Sequence, residues 1–329
     1  MTRQYSVIFQ MDPIERINKE TDSTYLIAKE ALKRNFKVFH CSPKKVMIKE
    51  NEVIAICSSL MLNNKNQIII KKKNIQSRIS NFNFFFIRQD PPFNMDYITN
   101  TYLLELVQKN STIKKPFFIN SPHGIRNFSE KIYPLYFKKL IPETTITSDL
   151  IVIKSFLKEN KRVVVKPLYD KGGNGIFLLE KNINLKKNLI VKITNNFQRP
   201  IILQKYLKKV KKGDKRIVLL DGNPIGCINR VPNKGSFKAN LHLGGVAQKT
   251  KLTNKEKDIC KKLKPSLRKN GFFFTGIDII DEKLTEINVT SPTGLTQIND
   301  IYRINIEKKF WDKLINKYLQ NKFAKRLSS

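Results

Sequence analysis

GIDIIDEKLTEINVTSPT, residues Gly276–Thr293, carries more of this chain's fold and chemistry than any other stretch. Two apolar runs flank Asp281-Glu282-Lys283, which reads as a hairpin joining strands Phe273–Asp281 and Leu284–Val289. Glu286 and Asn288 are two apart in a strand and so project to one face, and Asp278 stands on the partner strand where it can meet them. Ile277, Ile279 and Ile287 alternate with these polar residues, and Ser291-Pro292-Thr293 follows as a small hydroxyl-bearing loop. Two carboxylates and an amide oxygen suit Mg²⁺, which takes oxygen ligands and completes its shell with water and phosphate. The plainer alternative is the solvated polar face that many antiparallel strands present.

Upstream, KPLYDKGGNGIF (Lys166–Phe177) sets three glycines between strands Arg162–Lys166 and Ile176–Glu180. Such a loop lets backbone N–H groups approach an anion. It is neither a Walker A loop nor GxGxxG, and a plain hairpin turn remains a competing account. Lys166 weighs against that account, because an ammonium ending a Val-rich strand needs an anion to meet. Lys131, in Ser129-Glu130-Lys131, offers a second phosphate contact. A glycine loop, two lysines and a carboxylate–amide cluster together specify a metal–nucleotide site suited to phosphoryl transfer.

The first third alternates strand and helix in the doubly wound manner. Strand Ser6–Gln10 precedes a helix capped by Asp22 or Ser23 that runs to about Arg34, with Ala28, Ala31 and Leu32 on its buried stripe and Asn35 after its end. Strands Lys37–His40 and Phe82–Ile87, helix Asp96–Gln108 and strand Pro116–Asn120 follow, while the Lys/Asn-rich stretch Val46–Ser80 gives no clear assignment. Beyond Ser121-Pro122 the character becomes α+β. Strands Lys215–Asp221 and Ile225–Arg230 meet at Asp221-Gly222-Asn223, a Thr253/Glu256 capping box opens a helix ending at Gly271, and a helix Asn305–Tyr318 leads into a basic tail. The expected division is 1–122, 123–200, 201–318 and a tail 319–329.

With 329 residues, 40% hydrophobic and 10% aromatic, the chain has the material for two domains with real cores and is no disordered polymer. No apolar run approaches the roughly 18 residues of a membrane span, and the start lacks the apolar stretch of a secretory signal. The expectation is a soluble, cytoplasmic protein. The net charge of +35 raises nucleic acid as a partner, yet 49 lysines against 13 arginines, spread along the whole length, describe a solvated lysine surface. Cys41, Cys57, Cys227 and Cys260 lack metal-ligand spacing and read as reduced structural thiols, and three scattered histidines carry no hydrolase triad.

In this light the chain resembles the bacterial glutathione synthetases of the ATP-grasp superfamily. The matching strings are MDPI (Met11–Ile14), RQDPPF (Arg88–Phe93), SEK (Ser129–Lys131), KPLYDKGGNGIF, GDKRIVLLDG (Gly213–Gly222) and GIDIIDEKLTEINVTSPT, in order along most of the chain. The resemblance implies a Rossmann-like domain followed by a two-part ATP-grasp domain that clamps ATP between two sheets. It implies that Lys131 and Lys166 bind ATP phosphates under a cover formed by Asp170, Gly172, Gly173, Asn174 and Gly175. By the same resemblance, backbone groups of Gln204, Lys205, Tyr206 and Leu207 hold the adenine, with Asp214 near the ribose. Asp278, Glu286 and Asn288 hold Mg²⁺ or Mn²⁺. Arg230, with Ser291 and Thr293, faces the carboxylates of the peptide substrate, Arg216 is a second candidate there, and Asn240 lies toward glycine. The implied reaction joins γ-glutamylcysteine and glycine at the expense of ATP, in a homo-oligomer, by resemblance a tetramer, with no nucleic-acid or membrane partner.

Two rival accounts stay open on the sequence: a different carboxylate–amine pair on the same fold, and a basic nucleic-acid-binding protein that keeps the fold without activity. The polar segment Val231–Gly245 after Arg230 reads as a mobile lid over an acyl phosphate. It departs from the family pattern at Ser236, where an acid is usual, and at Lys238 and Val246, where arginines are usual.

Overall fold

Strands whose side chains are buried on both faces dictate a sheet covered on both sides, and SVIF and FFFI are two such runs. The computed structural model describes residues 4–110, 116–169, 175–180, 187–236, 238–241 and 244–327. Its first part comprises β1 (Ser6–Gln10), α1 (Ser23–Lys33), β2 (Lys37–Cys41), β3 (Val46–Lys49), β4 (Glu52–Leu62), β5 (Ile68–Arg78), β6 (Phe84–Ile87), α2 (Met95–Asn110), β7 (Phe117–Ile119) and α3 (Pro122–Asn127). They form one sheet in the order β3-β4-β2-β1-β6-β7, with β5 on β4; the β2-β1-β6-β7 pairings are parallel and the β4 pairings antiparallel. Asp22 caps α1 by accepting from the Tyr25 amide at 2.7 Å, and Asn35 takes a left-handed φ of 60° after its end.

Val46–Ser80, unassigned from sequence, is an antiparallel extension of this sheet. β5 sits at its edge with Lys71, Lys72 and Lys73 exposed, so it carries no clean alternation to read.

The second sheet contains β8 (Thr144–Thr147), β9 (Val163–Pro167), β10 (Phe177–Leu179) and β11 (Ile201–Lys205), all antiparallel in the order β10-β9-β11-β8, with α4 (Leu150–Asn160) and α5 (Lys187–Ile193) interspersed. The third holds β12 (Asp214–Leu220), β13 (Asn223–Val231), β14 (Val246–Gln248), β15 (Phe274–Ile280) and β16 (Lys283–Asn288), in the order β14-β13-β12-β15-β16. α6 (Asn254–Lys269) opens on the expected Thr253/Glu256 capping box; α7 (Leu295–Tyr302) and α8 (Ile306–Leu327) close the chain. α8 does not stop near Tyr318: its continuation is rich in good helix formers. No helix among the described residues is long and apolar enough to cross a membrane, and all four cysteines are free and buried.

Three cores organise these layers. Two large clusters each mix residues of the first and third sheets: Phe85 shares one with Ile217 and Ile277, and Phe84 and Phe86 share the other with Val218, Phe274 and Trp311. The third cluster draws only on Ile153 through Leu203 and belongs to the second sheet alone.

Candidate active site

The period-2 rule splits β9 and β11 between two tasks. Val163, Val165, Ile201 and Leu203 enter the small core, while Val164, Lys166 and Gln204 line a cleft facing the third sheet. From the opposite wall come Asp214, Asp278, Thr285 and Glu286, and the rim is completed by Lys205, Tyr206, Leu207, Lys238 and Asn240. Lys166 is only 8% exposed and its ammonium has no partner among the described residues. A buried cation with nothing to neutralise it calls for an anion from outside.

Register assembles a ladder of alternating charge behind the carboxylate wall. Asp214 lies across from Arg230 on β13, and Arg216 across from Asp278 on β15. Arg230 Nη2 donates to Asp214 Oδ2 at 2.6 Å and also meets Asp278 Oδ1 at 3.0 Å. Arg216 grips Asp278 with Nε and Nη2, and its Nη1 donates to the Thr293 carbonyl at 3.2 Å. Burial alone would raise the Asp278 carboxyl, but the Arg216 and Arg230 guanidiniums hold it well below the usual range. Burial outweighs Arg230 at Asp214, whose carboxyl is pushed up, with Asp278 and Glu286 adding to the rise.

The Glu286 carboxylate makes no hydrogen bond or ion pair among the described residues. The Asn288 amide nitrogen donates to Gly276 O and Asp278 Oδ2, each at 3.3 Å, which leaves its Oδ1 uncommitted. No group of three or more His, Cys, Asp or Glu side chains able to hold a metal occurs among the described residues. The donor set is instead two carboxylates and an amide oxygen, the sparse all-oxygen set that a hard cation uses when phosphate and water complete its shell. Glu286 and the Asn288 Oδ1 are free to meet such an ion, and Asp278, whose oxygens already accept from Arg216, Arg230 and Asn288, would have to be shared with it.

Lys131 lies in an adjoining crevice with Phe93, Ser129, Glu130, Tyr169 and Thr290, and its Nζ donates to the Pro167 carbonyl at 2.9 Å. The amides of Lys205 and Tyr206 already donate to the Glu143 and Arg162 carbonyls at 2.9 and 3.1 Å, whereas the Leu207 amide has no acceptor among the described residues. An adenine at this rim would therefore meet Leu207 first. Ser291 and Thr293 are half-buried beside the ladder. Asp170, Gly172, Gly173 and Asn174 lie outside the described residues, and Gly175 has a φ of 68°.

The two arginines are engaged by groups of the protein itself. Arg216 and Arg230, read as facing substrate carboxylates, are 6% and 4% exposed and occupied by aspartates. The pairing rests on a register shift between Val218 and Leu219 and on the non-local pairing of β12 with β15, neither of which isolated charges display. Glu130 and Thr290 were passed over: the Thr290 hydroxyl and amide donate to Glu130 Oε1 at 2.6 and 3.2 Å, a contact spanning 160 positions that no local pattern announces.

Two family models match the chain, the prokaryotic glutathione synthetase N-terminal domain over residues 5–126 and the prokaryotic glutathione synthetase ATP-grasp domain over 130–303. The chain is 38% identical over 312 residues to a glutathione synthetase of Mesorhizobium japonicum, spanning 94% of this chain and 98% of that protein. One from Synechocystis is 35% identical, spanning 92% and 96%. Among solved structures, a D-cycloserine synthetase superposes with a TM-score of 0.63 at 14% identity, covering 95% of this chain and 99% of that one. A D-alanine–D-alanine ligase from Bacillus anthracis, complexed with ATP, gives 0.59 at 12% identity, covering 98% and 100%. At such identities the structural likeness speaks to the fold alone, which is that of the ATP-grasp ligases.

Proposed function

The chain belongs to the prokaryotic glutathione synthetases, and on that premise we propose how its residues share the work of ATP-dependent glutathione synthesis. The activity is that of an ATP-dependent ligase. The substrates of our reading are γ-glutamylcysteine and glycine. The cysteinyl carboxylate attacks the γ-phosphorus of ATP and ADP departs, leaving an acyl phosphate. The glycine amine then attacks the acyl carbon, the peptide bond forms and inorganic phosphate leaves. Phosphorylation is needed because a carboxylate has no leaving group at neutral pH, so the site requires cations and alignment rather than a side-chain nucleophile.

Lys166 and Lys131 bind phosphate oxygens from the second-sheet side, and the Leu207 amide receives the adenine. Asp278, Glu286 and Asn288 would hold Mg²⁺ or Mn²⁺, which supplies further neutralisation of phosphate charge when bound. Arg216 and Arg230 keep Asp278 ionised and fixed, and through Thr293 Arg216 tethers the hydroxyl-bearing loop at which we place the dipeptide. Four buried free thiols accord with action in the reducing cytoplasm.

The observation that carries this reading is the partnerless, buried Lys166 ammonium across a single cleft from the uncommitted Glu286 carboxylate. A different substrate pair and a nucleic-acid role are not favoured, given the near-full-length likeness to glutathione synthetases. ADP release with γ-glutamylcysteine and glycine, measured against other carboxylate–amine pairs, tests the substrates. Comparable or faster release with another pair would overturn their assignment.

A further inference from the structure

We infer that Glu130 is a positioning residue that fixes the metal-bearing strand β16 against the phosphate-binding lysines; this rests on the function proposed above. Four bonds carry it. The Glu130 carbonyl accepts from the Ile287 amide at 3.1 Å, between Glu286 and Asn288. The Glu130 carboxylate accepts from the hydroxyl and amide of Thr290 at 2.6 and 3.2 Å, just ahead of Ser291-Pro292-Thr293. The next residue, Lys131, reaches the other way, its Nζ donating at 2.9 Å to the Pro167 carbonyl, one position past Lys166.

Two consecutive residues outside every strand thus clasp the third sheet with one side chain and the second sheet with the other. A strand's side chains alternate, so holding Ile287 by its backbone and Thr290 by its side chain fixes the rotation of β16. That rotation sets where Glu286 and Asn288 point. The second sheet has its own core, with no residue in common with the first and third sheets, so Lys166 is not located against β16 by a shared interior. The Glu130–Lys131 clasp supplies that location.

The role needs an acceptor at Glu130, not a charge. Glu130→Gln keeps an oxygen for Thr290 and should retain most of the turnover. Glu130→Ala should lower kcat and raise the Mn²⁺ concentration for half-maximal activity by about tenfold or more, the scale of losing an outer-shell support of a metal ligand. Calorimetry with Mn²⁺ in the presence of ADP should show the same weakening without any turnover. Thr290→Val combined with Glu130→Ala should add little to Glu130→Ala alone, because the hydroxyl bond that the first removes is already lost in the second. If Glu130→Ala does not fold, Thr290→Val alone must show the Mn²⁺ effect.

Wild-type Mn²⁺ affinity in Glu130→Ala, or in Thr290→Val where the former does not fold, would overturn the inference. Equal damage from Glu130→Gln and Glu130→Ala would overturn it in favour of a charged role at the reacting atoms. A lower melting temperature with unchanged Mn²⁺ affinity and kcat would reduce Glu130 to a purely structural contact. The functional reading fails separately, if the wild-type enzyme releases no ADP with γ-glutamylcysteine and glycine.

Discussion

The two sheets that form the cleft are built on opposite principles. The second sheet buries one face against α4 and α5, with a core confined to Ile153, Phe156, Leu157, Val163, Val165, Phe177, Leu179, Ile190, Ile201 and Leu203. The third sheet buries both faces in clusters that it shares with the first, so alternate residues of β12, Ile217 and Val218, fall in different cores. Hydrogen bonds add to this union: Asn120 exchanges bonds with Phe274 and reaches the Val289 carbonyl, and Arg88 donates to the Pro292 carbonyl at 2.9 Å. The carboxylates thus stand on the part cored jointly by the first and third sheets, and Lys166 on a small, separately cored part. Regions with fewer shared contacts open at lower free energy, which suits a wall that must admit and release a nucleotide.

Core truncations offer the strongest test of that contrast. Leu203→Ala and Ile277→Ala each remove a fully buried aliphatic side chain, at a cost of about 2–5 kcal/mol. The first should accelerate hydrogen exchange across residues 144–205 and weaken ATP binding while leaving protection in the third sheet unchanged. The second should lower protection in the first and third sheets together. Identical exchange maps for the two variants would abolish the distinction.

Chemistry at the two walls should separate next. Glu286→Gln removes charge from the metal donors and should cut turnover beyond the roughly 10–100-fold typical of an outer-shell loss; Asn288→Asp keeps an oxygen donor and should do less harm. A wild-type rate for Glu286→Gln across a magnesium titration would remove Glu286 from the metal site. Lys166→Met keeps most of the aliphatic bulk and deletes one charge-assisted phosphate contact, worth about 1.5–3 kcal/mol or some 10–100-fold in ATP affinity. Normal ATP binding by calorimetry would make Lys166 a purely structural residue.

What the sequence disclosed follows the same division. The β15–β16 hairpin was readable because apolar and polar residues alternate around a turn, and Asp278 and Glu286 do fall opposite each other. α6 declared itself through Thr253 and Glu256, a local device. β5 gave no period because its edge position solvates both faces. The Arg–Asp ladder needed cross-strand register, which the Asp221-Gly222-Asn223 turn alone does not fix, because the pairing of β12 with β13 shifts by one residue between Val218 and Leu219. The Glu130–Thr290 contact depends on tertiary placement and left no trace in either local segment.

The smallest expected effect concerns the segment from Val231 to Gly245, three of whose residues, Lys238, Ala239 and Asn240, line the cleft. Ser236 N donates to the Asn233 carbonyl at 3.0 Å in a turn where Gly235 has a φ of 83°, and Lys234 is exposed at its tip. Lys238 and Asn240, by contrast, line the cleft, and Ala239 between them is buried. The tip at 233–236 is exposed while Lys238 and Asn240 line the site, which is what a lid over the cleft would need. An acyl phosphate must be shielded from water, so closure should accompany occupancy by both ATP and γ-glutamylcysteine. Lysine at 238 offers one point charge in place of arginine's two-pronged fork, so the closed state is held less firmly than an arginine would hold it. Trypsin should cut after Lys234 in the free protein, more slowly with both ligands bound, and slower still in Lys238→Arg with the same ligands. Equal cleavage with and without ligands at saturation would make the segment an ordinary surface connection and leave cleft closure to the second sheet alone.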